Sequence, residues 1–286
     1  MTRPTHLIDM LLGVWDSIDR LCAPLSESQW KTMTECPGWT VQDTLSHLVS
    51  SELGLHGEPP TSHRASDLSN VKNPIGEFNE HEIDFRRSRS GAEVFAEWKQ
   101  IAAKRRHTLT TADDAYFARE MMTPTGPGTF ADFLHIRVMD AWVHEQDIRR
   151  VLHLRGNEDG PAAEHSIGRF ARSLPMVVGK RGKAPDGSVV TINVTGPIQR
   201  NFHIATNGGK AAHIEAGSAA GEAAGGTTGA GTASSTNPTC AISLDSNTYI
   251  ALACGRQFYA SGDARITMSG DVALGERIMT GFNVMI

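Results

Sequence analysis

Residues 130–152, FADFLHIRVMDAWVHEQDIRRVL, hold the side chains best spaced for chemistry. Wound as a helix at 100° per residue, Arg137, Asp140, His144 and Asp147 fall within about 80° of one another. Leu134, Val138 and Ala141 line one side of this polar stripe, and Ile136, Met139 and Val143 the other. A helix that is apolar nearly all round is buried. Buried charges are costly unless they are paired or bound to a metal. Asp140 and His144, at i and i+4, can grip one metal ion from a single helix face. The metal-free alternative is a buried hydrogen-bonded network of Arg137, Asp140 and His144. Arg137 could bind a substrate carboxylate or serve in structural pairing. Asp147 could hold a ligand imidazole or pair with Arg149 or Arg150 at the surface.

The elements that must position this stripe are helical. Apolar residues recur at helical spacing over 5–22. Thr40, with Asp43 three residues on, opens a second helix carrying Val41, Leu45, Leu48, Val49 and Leu53. A long polar connection over 54–72 has the length of a functional or mobile loop. A helix is expected from Pro74 to about Arg87, and Ser90 with Glu93 forms a capping box before another. TPTGPGT, 123–129, reads as a loop that breaks the chain before the polar-striped helix. These long helices imply an up-and-down bundle over residues 1–155.

From Pro161 a helix runs to about Leu174, after which strand signals take over: 188–195, 202–206, 211–216, 239–244 and 264–269. Asn207-Gly208-Gly209 reads as a hairpin turn. Helices are expected around 247–254 and 271–282. Residues 217–239 lack any bulky apolar side chain and read as a flexible Gly/Ala/Ser/Thr-rich loop. Residues 160–286 therefore form a small α+β domain.

Composition narrows the function classes. The chain has 286 residues, 40% of them hydrophobic, and a net charge of −5. That gives no basic footprint for nucleic acid. No apolar run reaches the length of a membrane span, and the N-terminal apolar residues are spaced as a helix rather than as a signal peptide. A cytoplasmic protein, monomeric or homodimeric, is expected. Cys22, Cys36, Cys240 and Cys254 form no C-x-x-C pair. They read as free thiols, with Cys36, beside a Pro-Gly turn, the most exposed. Neither a G-x-S-x-G elbow nor a phosphate-binding G-x-x-x-x-G-K-[ST] loop is present.

Two motifs carry a resemblance. Residues 36–48, CPGWTVQDTLSHL, resemble the "pGWtvrdvlaHl" motif of the mycothiol-dependent maleylpyruvate isomerases, within the wider DinB-like helical-bundle metalloenzymes. The pattern R-x-x-D-x-W-x-H-x-x-D-x-R over 137–149 resembles their second motif. Leu252-Ala253-Cys254-Gly255-Arg256 and Ser269-Gly270-Asp271 are similar to marks of the sterol-carrier-like domain that often follows. The resemblance implies an α+β chain, a DinB-like four-helix bundle followed by a sterol-carrier-like domain. It implies metal ligands His47, Asp140 and His144. His47 lies about 200° from Leu45 on the helix wheel, off the apolar stripe, so its own position reads as exposed. At the position of Asp140 the family more often has Glu, and the shorter acid would shift the metal toward this helix or weaken its binding.

The function implied is a metal-dependent thiol transferase or isomerase that uses mycothiol to attack a small electrophile. Zinc is the preferred ion, with nickel or iron also suited to two histidines and a carboxylate. The expected partners are a small electrophilic molecule and a low-molecular-weight thiol. Arg137 or Arg256 would orient an anionic substrate. A metal-dependent hydrolase, or a non-enzymatic binding protein holding a lipid or other small molecule, are the alternatives.

Overall fold

The computed structural model describes residues 2–216 and 238–285. The chain divides into two compact units, Met1–Ser166 and Ile167–Met285.

The first unit contains α1 (Thr5–Cys22), α2 (Glu27–Trp30), α3 (Val41–His56), α4 (Pro74–Arg87), α5 (Gly91–Thr111), α6 (Asp114–Ala118) and α7 (Phe130–Leu152). A short hairpin of β1 (Glu120–Thr123) and β2 (Gly126–Thr129) precedes α7. α1, α3, α5 and α7 pack on one another as a four-helix bundle, and α4 lies along α3. The expected helix starts are built by their caps. Thr40 accepts from the Asp43 amide and Asp43 accepts from the Thr40 amide, and Ser90 and Glu93 do the same for α5. Thr129 and Asp132 repeat the device at α7. Trp15, Trp98, Leu11, Ile18, Leu45, Val94 and Val138 fill the core.

Two local readings change. Residues 123–129 are not an unstructured break. The Thr123 hydroxyl donates to the Gly126 carbonyl at 2.7 Å, which closes a tight turn and lets Glu120–Thr123 pair with Gly126–Thr129. The long connection after α3 is pinned to α4. The Thr61 amide donates to Glu82 at 2.6 Å, His63 pairs with Asp84 at 2.6 Å, and the Ala65 amide donates to His81 Nδ1 at 3.2 Å.

α8 (Pro161–Ala171) spans the division between the units. It is followed by a π-helical turn at Met176–Arg181, which periodicity alone did not reveal. The second unit holds β3 (Val189–Thr195), β4 (Arg200–Asn207), β5 (Lys210–Ile214), β6 (Cys240–Asp245), α9 (Ser246–Ala253), β7 (Ile266–Gly270) and α10 (Val272–Thr280). The sheet order is β5-β4-β3-β6-β7, with β3 and β6 parallel and the other neighbours antiparallel. Val190, Ile192, Val194, Ile242 and Leu244 alternate onto its buried face, with Leu274 and Ile278 of α10 also in the core. Gly208 and Gly209, with φ of 55° and 74°, make the turn that registers Asn207 against Lys210. Most of the 217–239 loop expected from the sequence, residues 217–237, lies outside the described residues.

Candidate metal centre

The site begins with a turn. The Trp39 amide donates to the Cys36 carbonyl at 3.0 Å, and Gly38 sits third in the turn with φ 80°, a conformation that favours glycine. A Cβ at Gly38 would fall 2.0 Å from the Asn70 side-chain nitrogen. A bridge between Met33 and Thr40 closes the loop and delivers the chain into α3. The turn lays the Trp39 indole against two imidazoles, 5.3 Å from the His47 ring and 5.7 Å from the His144 ring. Its N–H donates to Glu80 Oε2 at 3.1 Å, and Glu80 pairs with Arg87 at 2.6 Å.

His47 from α3 and His144 from α7 stand with ring centroids 4.8 Å apart. Between them, from α7, comes Asp140. Its Oδ2 lies 3.4 Å from His47 Nε2 and its Oδ1 lies 3.6 Å from His144 Nε2. One ligand atom from each residue falls within 4.8 Å of the others, the one such cluster among the described residues. A tetrahedral ion with ligands at about 2.0–2.1 Å sets its donors roughly 3.3–3.5 Å apart, and each imidazole nitrogen stands near that distance from one carboxylate oxygen, Oδ2 for His47 and Oδ1 for His144. Two nitrogens and one oxygen leave positions open, the composition of a catalytic rather than a closed structural site.

The supporting contacts fit the same reading. His144 Nδ1 meets Asp147 Oδ2 at 3.1 Å, which turns Nε2 toward Asp140. Asp147 in turn accepts from Arg150 at 2.5 Å, and Arg150 Nε donates to Glu35 at 2.7 Å. Asp147 thus touches both an imidazole and an arginine, and it does so fully buried rather than at the surface. His47 is only 6% exposed, and its Nδ1 has no partner among the described residues. Its own position on the helix wheel read as exposed. The face opposite Leu45 is instead closed by α7 and the Trp39 indole.

Charge on the carboxylate is set from the other side. Arg137 donates to Asp140 Oδ2 at 2.6 Å through Nη1. Its Nε and Nη2 donate to Glu52 Oε1 at 3.0 and 2.9 Å. Glu52 also accepts from Arg105 Nε at 3.0 Å, and both of those side chains are fully buried. Arg105 continues to the Tyr116 hydroxyl at 2.8 Å. Burial pushes the Asp140 carboxyl upward, but the Arg137 guanidinium and then His47 outweigh it and hold the group well below the usual carboxylate range. Burial pushes His47 below the ordinary histidine value, against the opposing pull of Asp140. Anionic carboxylate and neutral imidazole are the forms that bind metal ions.

The structure therefore brings His47, Asp140, His144 and Arg137 together. Arg256 lies in the second unit, just after α9. Its amide donates to the Ala251 carbonyl at 2.9 Å and its Nη1 to the Cys254 carbonyl at 3.1 Å. Glu52 and Arg105 were not singled out by the motifs. Both had a signal: Glu52 falls four residues after Leu48, and Arg105 four after Ile101, each on the apolar stripe of its own helix. Opposite charges at two core positions mark a buried pair. Trp39, which belongs to the 36–48 motif, forms a wall of the site against both imidazoles. None of the four cysteines is in a disulfide and all are buried, Cys36 included at 8% exposure, because the turn folds it inward.

Residues 11–149 match the family described as the mycothiol maleylpyruvate isomerase N-terminal domain. Two solved structures share the fold: the mycothiol-dependent maleylpyruvate isomerase, at 14% identity and TM-score 0.56, and a mutant of it, at 13% and 0.55. Each comparison covers 92% of this chain and 91% of the other. No curated relative matches the chain significantly. Among the described residues, no helix is long and apolar enough to cross a membrane.

Proposed function

Residues 11–149 belong to the mycothiol maleylpyruvate isomerase N-terminal domain family, and on that premise we propose that the chain is a metal-dependent, mycothiol-using isomerase or S-transferase acting on a small electrophile. The observation that carries this reading is the convergence of His47, Asp140 and His144 on one point, with open positions left over. These three residues would hold a divalent ion, with zinc favoured by the donor set and nickel or iron also accommodated. A divalent ion at such a site lowers the pKa of a bound thiol, which otherwise stays mostly protonated at neutral pH.

The chain's own residues prepare the site. Asp147 holds the His144 tautomer, Arg137 keeps Asp140 anionic, and Trp39 walls off one side of both imidazoles. The nucleophile comes from outside. Burial, then the Asp19 carboxylate, raises the Cys22 thiol far above neutral pH, and burial pushes Cys240 to about 11. Neither is a thiolate in physiological conditions. In an isomerase the external thiolate forms a C–S bond at the β-carbon of a conjugated double bond, whose electrons move into the enolate. The former double bond rotates, and the enolate collapses to expel the thiolate. In a transferase the C–S bond persists. Orientation of an anionic substrate is proposed for Arg137 or Arg256; Arg137 already donates to Glu52 and Asp140, and Arg256 to the Cys254 carbonyl.

The test is turnover of a cis-enone diacid of the maleylpyruvate type, and of a thiol-reactive bimane, by metal-loaded protein with mycothiol present or omitted. Turnover only with the thiol is expected. Equal turnover without it would replace this reading with water activation and hydrolysis. Tight acyl-ligand binding with no turnover under any thiol would leave a binding protein.

A further inference from the structure

We propose that the first unit holds a second binding site, for a small organic phosphate monoester, in an open depression of about 410 Å³ where the C-terminal ends of α1 and α7 meet. Three guanidiniums and an imidazole line it: Arg20 from α1, Arg149 from α7, and His153 and Arg155 from the segment that follows. No carboxylate shares the lining among the described residues. Arg20 and Arg149 alone would say little, since cations suit helix C-termini. His153 and Arg155 lie beyond the helix end. His153 takes φ 55°, in the left-handed position that glycine most often fills. The Leu154 amide donates back to the Arg149 carbonyl at 2.9 Å, which folds the segment over the end of α7.

Two of the four are already compensated. Arg149 donates to Glu145 at 2.8 Å and to the Ser17 hydroxyl at 3.0 Å, and Arg155 donates to Glu158 at 3.0 and 2.6 Å. The exposed side chains of Arg20 and His153 have no hydrogen-bond or ion-pair partner among the described residues. The donors come from two helices and the segment after them, and so do not share one plane. A tetrahedral phosphate presents oxygens in several directions, whereas a planar carboxylate is best matched by a single guanidinium fork. The rest of the lining is apolar: Leu21, Pro24 and Leu154, the last 40% exposed. A bare phosphate leaves that surface wet, and an ester lays its organic group against it. The site is distinct from the metal centre, because Leu152, the last residue of α7, lies eight residues past His144, about 12 Å along the helix.

The experiment titrates phenyl phosphate, inorganic phosphate and benzoate into the nitrogen-15-labelled full chain at constant ionic strength and follows the amide resonances. The proteins are wild type, Arg20→Gln, Leu154→Ser, His144→Ala and Lys210→Gln, the last an equal charge change in the second unit. Phenyl phosphate should saturate one site, shift residues 20–24 and 149–155, and bind more tightly than the other two probes. Arg20→Gln should weaken it roughly tenfold, the loss of a charge-assisted hydrogen bond, and Lys210→Gln should leave it unchanged. Leu154→Ser should weaken phenyl phosphate roughly fivefold, the equivalent of about 40 Å² of apolar contact, and leave inorganic phosphate as it was. His144→Ala should bind as wild type does. Shifts that map elsewhere or fail to saturate, or equal affinities in Arg20→Gln and Lys210→Gln, would overturn the site. Binding lost in His144→Ala would put the phosphate on the metal centre and overturn it too. Benzoate as tight as phenyl phosphate would overturn the phosphate assignment, and inorganic phosphate as tight would overturn the ester.

Discussion

Replacing Glu52 with Gln should cost the first unit more stability than any comparable change at an exposed ion pair. Glu52 is fully buried and accepts from Arg105 once and from Arg137 twice, at 2.9–3.0 Å. Glutamine keeps the shape but removes the charge and turns an N–H₂ toward a guanidinium. Two buried cations then share one fewer anion. Breaking a buried pair on one side costs about 3–5 kcal/mol. With a urea m-value of about 2 kcal/mol/M, the midpoint should fall by roughly 1.5–2.5 M. The assay is tryptophan fluorescence in urea, which reports on the first unit alone, because all five tryptophans lie between Trp15 and Trp142. Asp16→Asn is the control: Asp16 pairs with Arg106 on the surface, where such bridges contribute about 0–1 kcal/mol. Glu52→Gln unfolding at the same urea concentration as Asp16→Asn would refute the reasoning, since the Glu52 pairs would then be as weak as exposed ones.

Asp147→Asn should weaken zinc binding by about 10–100-fold without abolishing it, because the His144 tautomer loses its carboxylate brace; chelator competition reads this. In chelator-treated protein, stability should decline as pH falls below the 6.5 reference value of histidine. The folded state holds His47 below that value, so the unfolded chain takes up the proton first and stability drains until the folded pKa is passed. Urea midpoints from pH 7 to 5 should show a shallower slope in His47→Gln. The depressed Asp140 carboxyl acts in the same sense only lower, below its 3.8 reference value. Gly38→Ala should lower the thermal midpoint by several degrees, since it places a side chain at φ 80° and against Asn70, and calorimetry at neutral pH checks it.

Much of this arrangement could be read from residue spacing because it is local. The i, i+4 pair Asp140/His144 and the brace at Asp147 follow from one helix's geometry, and the caps at Thr40 and Ser90 need only their own first turns. The strands of the second unit were legible because Val190, Ile192 and Val194 alternate with polar neighbours. Contacts made between elements were harder to see. His47 looked exposed because its wheel position says nothing of the helix and indole that cover it. The Glu52–Arg105 pair joins positions 53 apart in sequence, and only the oddity of a charge on each apolar stripe hinted at it. The β1–β2 hairpin escaped because Gly and Pro in TPTGPGT conceal strand propensity. Arg256 was legible as a motif, and its part in the chemistry stays a proposal.

Elemental analysis of the purified chain against His144→Ala tests the central claim most directly. Near one equivalent of a divalent transition metal in the wild type, and its loss in a folded His144→Ala, is the predicted result. Equal metal content in the two proteins would contradict the account.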